Sequence, residues 1–529
     1  MAGTVITDLA WFVGITSPYY NSDCDQITDW VSAPTLDIVT FVQGAGSCSA
    51  KVSKTTFTSV FSLQTATNLT NKVLYIWAMC SGKLDTLANG GLRIRVEDAS
   101  ANWGEWYVAG TNTWAGGWQP FIAHTSTAYS GQSATPPTIS AITKVGIVFK
   151  TTGSATAINC WWDALRYGTY IGVKAGTEAS PATLQDIVDA EATSKYGVIF
   201  QYEGLSMVQG KLVVGSATGG DVTYFKDTSE KVLIFIDKPV PSDWYNILLQ
   251  GNGTATTKIY FGTKVGGSGA GGITIRASSS SKPFTLTASD TNITEYGFYG
   301  CTFYQASTIT LQAYSITKEF LDCTVSKSSE MLPDTGIVKN STFTGSTGRA
   351  IRMSSASHSI SDTKFINCQT AMHIPLSVSV SINNVNFYGS NPYDIEHSVA
   401  GALTINYSNC ASPPSGAKVN ETGGGSTTIQ TSVTLTIRKV KSGNEPTEYV
   451  RCSIHKKSDM TEIMNKDADV ADDQNSTYYK ASTTYTVTGI VVIVRARETG
   501  YLPFETELTI PAGGLDVSAV WILDPNYGL

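Results

Sequence analysis

The chain has 529 residues, more than one hydrophobic core usually organises, so several domains are expected. Charged residues are only 15% of it, glycine counts 48, and Ser, Thr and Asn fill most polar positions, a balance that favours strands and tight turns over long helices. The formal charge of −7 comes without a basic cluster, and no apolar run approaches the ~20 residues that cross a bilayer, so neither nucleic-acid binding nor membrane insertion is expected.

The N-terminal MAGTVITDLAWFVGI has no basic segment and too short an apolar run for an export signal, so synthesis and folding in a cytoplasm are expected. Nine cysteines between Cys24 and Cys452 show no CxxC pair or metal-ligand spacing, a distribution that fits buried reduced thiols. The five histidines, at 124, 358, 373, 397 and 455, have no ligand spacing either. No cofactor is expected.

Residues 1–172 alternate apolar and polar over short runs, VLYIWAM (73–79), LRIRVED (92–98) and VGIVFK (145–150), broken by turn residues at intervals suited to an antiparallel sandwich. The run closes on Trp162-Asp163-Ala164-Leu165-Arg166-Tyr167-Gly168. This order of features resembles the jelly-roll domains of carbohydrate-binding modules, which often end in such a strand. The resemblance implies two kinds of site residue. Asp163 matches a calcium ligand of some such modules and is a candidate metal ligand. Trp103, Trp106, Trp114 and Trp118 are candidate glycan-binding residues, because sugar rings stack on indoles; the same side chains also fill cores and interfaces.

A linker, residues 173–194, carries the one good helix pattern. Ser180 is the expected cap, Pro181 suits the first turn, and Leu184, Ile187 and Val188 share a face. Such a helix would cover the open end of the following domain.

Between 195 and 415 a period emerges when FYGCTF (298–303), FLDCTV (320–325), VKNSTF (338–343), ISDTKF (360–365) and INNVNF (382–387) are aligned, with steps of 22, 18, 22 and 22 residues. Apolar or small side chains recur in three columns: Phe298, Phe320, Val338, Ile360 and Ile382; Cys301, Cys323, Ser341, Thr363 and Val385; Phe303, Val325, Phe343, Phe365 and Phe387. A further column holds Gly300, Asp322, Asn340, Asp362 and Asn384, residue types that tolerate a left-handed bend. Ile351, Ile374 and Ile395 form a second apolar column. Interior ladders on either side of a left-handed corner resemble the pectate-lyase-like right-handed parallel β-helix.

Residues 416–426 lie in a Pro/Gly/Ser-rich hinge. Residues 427–529 follow as a compact β-sandwich, immunoglobulin-like or transthyretin-like, with VTLTIRKV, YVRCSIHK and VIVRARE as strands. Its stretch VIVRARETGYLPFETELTI and terminal VSAVWILDPNYG are similar to C-terminal domains of tailed-phage structural proteins. The expected fold class is therefore all-β: jelly roll, right-handed parallel β-helix, sandwich.

Fold does not decide function, so chemistry must come from residues. Galacturonan hydrolases of the β-helix fold carry Asn-Thr-Asp, Asp-Asp, His-Gly and Arg-Ile-Lys sets, none of which occurs between 195 and 415; Arg276, Arg349 and Arg352 have no acidic ladder in sequence beside them. The best local carboxylate pair is Asp394 and Glu396, flanking Ile395. Asp322 and Asp362 read first as corner residues, and Cys301 over Cys323 as packing rather than a nucleophile. No catalytic residue is assigned. The expected function is a non-enzymatic structural component of a bacteriophage particle, a decoration, fibre or spike on the virion surface made in a bacterial cytoplasm. Its expected partners are two further copies in a homotrimer, other capsid or tail proteins, and a host surface glycan. A polysaccharide-depolymerising tailspike and a glycan-binding adhesin are the alternatives.

Overall fold

The structure, a computed structural model, describes residues 4–7, 10–11, 24, 27–28, 30–53, 56–110, 117–152, 157–168, 171–194, 197–202, 204–215, 223–228, 231–236, 246–251, 257–288, 293–311, 317–333, 336–431, 433–440, 450–468, 478–486, 490–511 and 514–526. The chain is nearly all β and divides into two compact units, Met1–Thr317 and Lys318–Leu529.

The first unit opens on two antiparallel sheets. One runs in the order Gln119–His124, Val73–Cys80, Ile158–Gly168, Ser47–Val52, Thr35–Asp37; the other runs Gly131–Gln132, Trp103–Ala109, Leu92–Asp98, Ile142–Lys150, Thr56–Thr67, Trp30–Val31. Alternation sets which side chains meet between them. In Leu92–Asp98, Leu92, Ile94 and Val96 enter the shared core while Arg93, Arg95 and Glu97 line the opposite face. Trp162 sits at the centre, its ring 5.7 Å from Trp30, 5.8 Å from Phe149 and 5.9 Å from Phe57.

The same unit then changes to parallel pairing. Ile171–Ala175, Leu212–Gly215, Asn246–Gln250, Phe284–Ala288 and Ala306–Leu311 stack in one ladder. Leu205–Val208, Val232–Phe235, Thr274–Ala277 and Thr302–Tyr304 form a second, and Thr223–Asp227, Thr257–Phe261 and Ile293–Tyr299 a third. One strand per coil enters each ladder, so equivalent side chains lie over one another. Phe225, Phe261 and Phe298 accordingly make a row, with ring centroids 5.1 and 5.3 Å apart. Parallel pairing already begins at Ile171–Ala175, across the boundary at 172/173 read above as the end of the jelly roll and the start of the linker.

The helix α1 spans Leu184–Ser194. Its cap is Thr183, not Ser180: the Asp186 carboxylate accepts from the Thr183 N–H at 2.7 Å, and the Thr183 hydroxyl accepts from the Asp186 N–H at 3.3 Å. That reciprocal pair outcompetes Ser180, whose N–H instead closes a turn onto Thr177. Leu184, Ile187 and Val188 are buried, and the Leu184 N–H donates to Asp227 of a coil strand at 3.0 Å.

The second unit repeats the parallel design. Ile337–Lys339, Ser359–Ser361, Ser379–Asn383, Ala402–Ser408 and Ser426–Thr431 form one ladder; Thr324–Ser326, Thr342–Thr344, Lys364–Ile366 and Asn386–Tyr388 a second; Arg349–Arg352, Thr370–Ile374, Tyr393–His397 and Val419–Glu421 a third. Phe343, Phe365 and Phe387 stack at 5.2 and 5.4 Å. Phe298, Cys301 and Phe303 of the first unit, and Phe320, Cys323, Phe343, Ile360, Phe365, Ile382 and Phe387 of the second, are all buried. Gly300, Asp322, Asn340, Asp362 and Asn384 have φ of +66°, +56°, +50°, +51° and +50°.

Two further details differ from the sequence reading. In the third ladder Ile351 lies over Met372 and Ile395, while Ile374 pairs with His397, so a methionine fills the place assigned to isoleucine. Residues 416–426, read as hinge, contain the strand Val419–Glu421 and the start of Ser426–Thr431, both in parallel register with earlier coils. The glycines there serve close approach: a Cβ on Gly423 would lie 2.3 Å from the Ser398 carbonyl carbon.

The unit ends in a sandwich of two sheets, Tyr478–Tyr485, Val433–Val440, Leu515–Ala519 and Glu462–Ala468, Val450–Lys456, Val491–Arg497, Phe504–Thr509. Leu435, Ile437, Ile454, Val492 and Val494 fill its core.

Candidate functional sites

The tryptophans singled out by sequence do not form one platform. Trp106 is a core residue, its indole N–H donating to the Thr127 carbonyl at 3.1 Å and its ring 4.8 Å from Tyr129. Trp103 has a face covered by the Arg95 guanidinium, 4.4 Å from its centroid. Trp114 lies outside the described residues. Trp118 does line a cavity, of 410 Å³, together with Phe41, Trp77, Phe200, Glu191 and Gln201.

That cavity follows from the two-sided strand Val73–Cys80. Leu74, Ile76 and Ala78 face the sandwich core, leaving Val73, Tyr75 and Trp77 on the outer face. The segment after α1 covers this face: Gln209 donates to the Pro120 carbonyl at 2.8 Å, and Phe200 meets Trp77 edge-on at 5.9 Å. The unbroken apolar run VLYIWAM was the available signal, since a strand apolar on both faces is covered on both.

Asp163 anchors a loop beside this cavity. Its carboxylate accepts from the N–H groups of Val42 at 2.6 Å, Gln43 at 3.0 Å and Ala164 at 2.6 Å. Arg166, also fully buried, donates to the Leu165 carbonyl and to the Gln43 side chain. Burial pushes the Asp163 carboxyl up to about 8, against the pull of these N–H groups and of Arg166. Its oxygens face donors, the wrong surroundings for a cation, and among the described residues no group of three His, Cys, Asp or Glu side chains stands together as a metal site. The calcium-ligand expectation for Asp163 therefore does not fit.

In the second unit, Asp394 accepts from the Asn391 amide and the Ser415 N–H, both at 3.0 Å. Glu396 takes a two-pronged bond from Arg349, at 2.6 and 3.2 Å, which raises the guanidinium pKa. The pair suggested by sequence is thus split between two structural tasks. Cys301 and Cys323 are buried, each sulfur 3.5 Å from a backbone carbonyl oxygen.

The structure assembles a different group. His373 is the register partner of Glu396. Its Nε2 lies 2.7 Å from the Ser398 hydroxyl, and its Nδ1 lies 3.8 Å from Glu330 Oε1, an atom also 4.0 Å from the Arg349 guanidinium. A serine, an imidazole and a carboxylate in line are the parts of a proton relay. Sequence could not pair them, because Glu330, His373 and Ser398 come from three different coils with no fixed spacing.

No family model matches this sequence, and no curated protein matches it. Among solved structures, an exo-β-agarase overlaps 27% of this chain and 23% of its own at 11% identity, with a TM-score of 0.22. A second agarase overlaps 34% and 25% at 14% identity, with a TM-score of 0.20. The catalytic unit of a thermostable GH87 α-1,3-glucanase from Streptomyces thermodiastaticus overlaps 81% of this chain and 96% of its own at 13% identity, again with a TM-score of 0.20. The chain spans about a quarter of the length of the two agarases. At such scores the overlaps carry no argument about activity.

Proposed function

We propose that this chain is a structural component of a bacteriophage virion, a surface-displayed decoration, fibre or spike in which the parallel coils act as a beam. The observation that carries this reading is the stacking itself. Each unit has a buried phenylalanine row, Phe225–Phe261–Phe298 and Phe343–Phe365–Phe387, and polar corner residues spent on turns. Such ladders resist bending because every coil is hydrogen-bonded to its neighbours along its strands. A homotrimer is part of the proposal, and exposed apolar side chains offer surface for it: Ile38 and Val39 in the first unit, Val520, Ile522 and Leu523 in the second. Cryo-electron microscopy of particles from infected cells tests the reading, with density for the chain on capsid or tail expected. Its absence from purified particles, or a monomeric mass in solution at micromolar concentration, would count against it.

The cavity favours a second reading, saccharide binding by the N-terminal sandwich. Trp77, Trp118, Phe41 and Phe200 supply aromatic surface, while Glu191 and Gln201 bring polar groups, the mixture that holds a sugar's apolar face and hydroxyls. Glycan-array binding that disappears with Trp118→Ala or Phe200→Ala supports it; binding untouched by both substitutions removes it.

A further inference from the structure

We propose that Ser398, His373 and Glu330 form a hydrolytic relay for a carboxylic ester, an activity independent of the beam role. Three observations converge. Ser398 Oγ stands 2.7 Å from His373 Nε2, hydrogen-bond distance for a nucleophile and its base. On the other side of the imidazole, His373 Nδ1 and Glu330 Oε1 are both buried polar atoms without a hydrogen-bond partner, and they face each other at 3.8 Å. A small side-chain movement closes that gap and satisfies both, and bonds of this kind commonly tighten only when substrate binds. Finally, Ser398 is part-exposed while His373 is only 3% exposed, so the serine is open to solvent where the imidazole is not.

The order of groups assigns the roles. With Nδ1 protonated toward Glu330, Nε2 is left to accept the Ser398 proton. Ser398 Oγ attacks the ester carbonyl carbon and its proton passes to His373 Nε2. The bond to the alcohol oxygen then breaks, and the alcohol leaves with that proton. Water next attacks the acyl group on Ser398 and gives a proton to His373. The acyl–Oγ bond breaks, the acid departs and Ser398 recovers its proton. No oxidant or metal is needed for the balance. Glu330 is a positioning residue that holds the imidazole. Arg349, clamped between Glu396 at 2.6 Å and Glu330 at 4.0 Å, fixes where the Glu330 carboxylate can lie. The backbone around Gly423 and Gly425 presses directly on Ser398 and Val399, leaving no room for a Cβ at either glycine and holding the serine in place.

The test uses the full chain with a fluorophosphonate probe, whose phosphorus–fluorine bond breaks as Ser398 Oγ bonds to phosphorus, and with p-nitrophenyl acetate as substrate. Mass spectrometry should find the label on Ser398 in the native protein and none after heat denaturation. Ser398→Ala should reduce hydrolysis to background. His373→Ala should reduce it by about 100-fold or more, the usual share of a general base. Glu330→Gln should lower kcat by about 10-fold with KM unchanged, and Glu330→Asp should recover part of the loss, a split that a merely structural carboxylate would not produce. Absence of label on Ser398 in the native chain, or hydrolysis unchanged in Ser398→Ala, overturns the proposal and leaves the contact as a structural hydrogen bond.

Discussion

Replacing Asn384 separates the two jobs done by a corner residue. Its backbone is left-handed, with φ +50°, and its N–H donates to the Ser408 carbonyl of the next coil at 2.8 Å. Its side chain donates to Asp362 at 2.9 Å and accepts from Asn386 at 2.9 Å. Alanine loses both side-chain bonds, about 1 kcal/mol each, and also the local polar compensation by which asparagine tolerates the left-handed region, about 1 kcal/mol more. Glycine loses the same bonds but carries no left-handed penalty. Asn384→Ala should therefore cost about 3 kcal/mol and Asn384→Gly about 2 kcal/mol, with glycine's extra chain entropy narrowing the gap. Because the chain has several domains, a single unfolding transition is the wrong readout. Hydrogen–deuterium exchange over the strand Ser379–Asn383 reports local opening instead. Protection there should fall by about 100-fold in the alanine variant and by several-fold less in the glycine variant, since about 1.4 kcal/mol is a factor of ten. If glycine loosens this strand as much as alanine or more, backbone handedness is not what selects Asn at the corner.

Phe365, stacked between Phe343 and Phe387 and fully buried, should cost about 3–5 kcal/mol as Phe365→Ala, read as loss of exchange protection on both neighbouring coils. For Asp163 the folded pKa of about 8 lies above the ordinary 3.8, so between them the native state holds a proton that the unfolded chain has released. That contribution is complete below about pH 4 and is lost as pH rises through about 8, with a slope of about 1.4 kcal/mol per pH unit between. Urea midpoints of the N-terminal sandwich should show it, and Asp163→Asn should flatten it; an equal slope in both proteins would mean that the native carboxyl is ionised. Burial raises the Cys80 thiol to about 11 and the Cys452 thiol to about 12, so iodoacetamide at neutral pH should spare both until denaturant is added. Rapid alkylation of the native chain at either site would contradict their burial.

The coil was legible because a solenoid writes its geometry as columns. Any single Phe or Asn is ambiguous, but Phe343, Phe365 and Phe387 recur in step with Asn340, Asp362 and Asn384, and only a repeated turn of fixed length does that. The same logic failed where volume mattered more than residue type, as at Met372, and where composition misled, as at Gly423, which packs against Ser398. Tryptophan content was a poor guide to a binding surface because it carries no direction. Trp106 lies in a strand whose inward face it fills, whereas Trp77 belongs to a run apolar on both sides, and that two-sidedness was the informative feature.

The polar group on the third ladder was invisible for a different reason. Parallel coils place residues of successive turns about 4.8 Å apart, whatever lies in the loops between them. Sequence separation is then no measure of proximity: Glu330 and His373 are brought together across an intervening strand, and His373 and Ser398 across a further loop. Corner columns repeat in every coil and so announce themselves, but a reactive set needs each residue type once. Repetition therefore gives no signal for a set whose members each occur once, and the His373–Ser398 contact is one that no column announces.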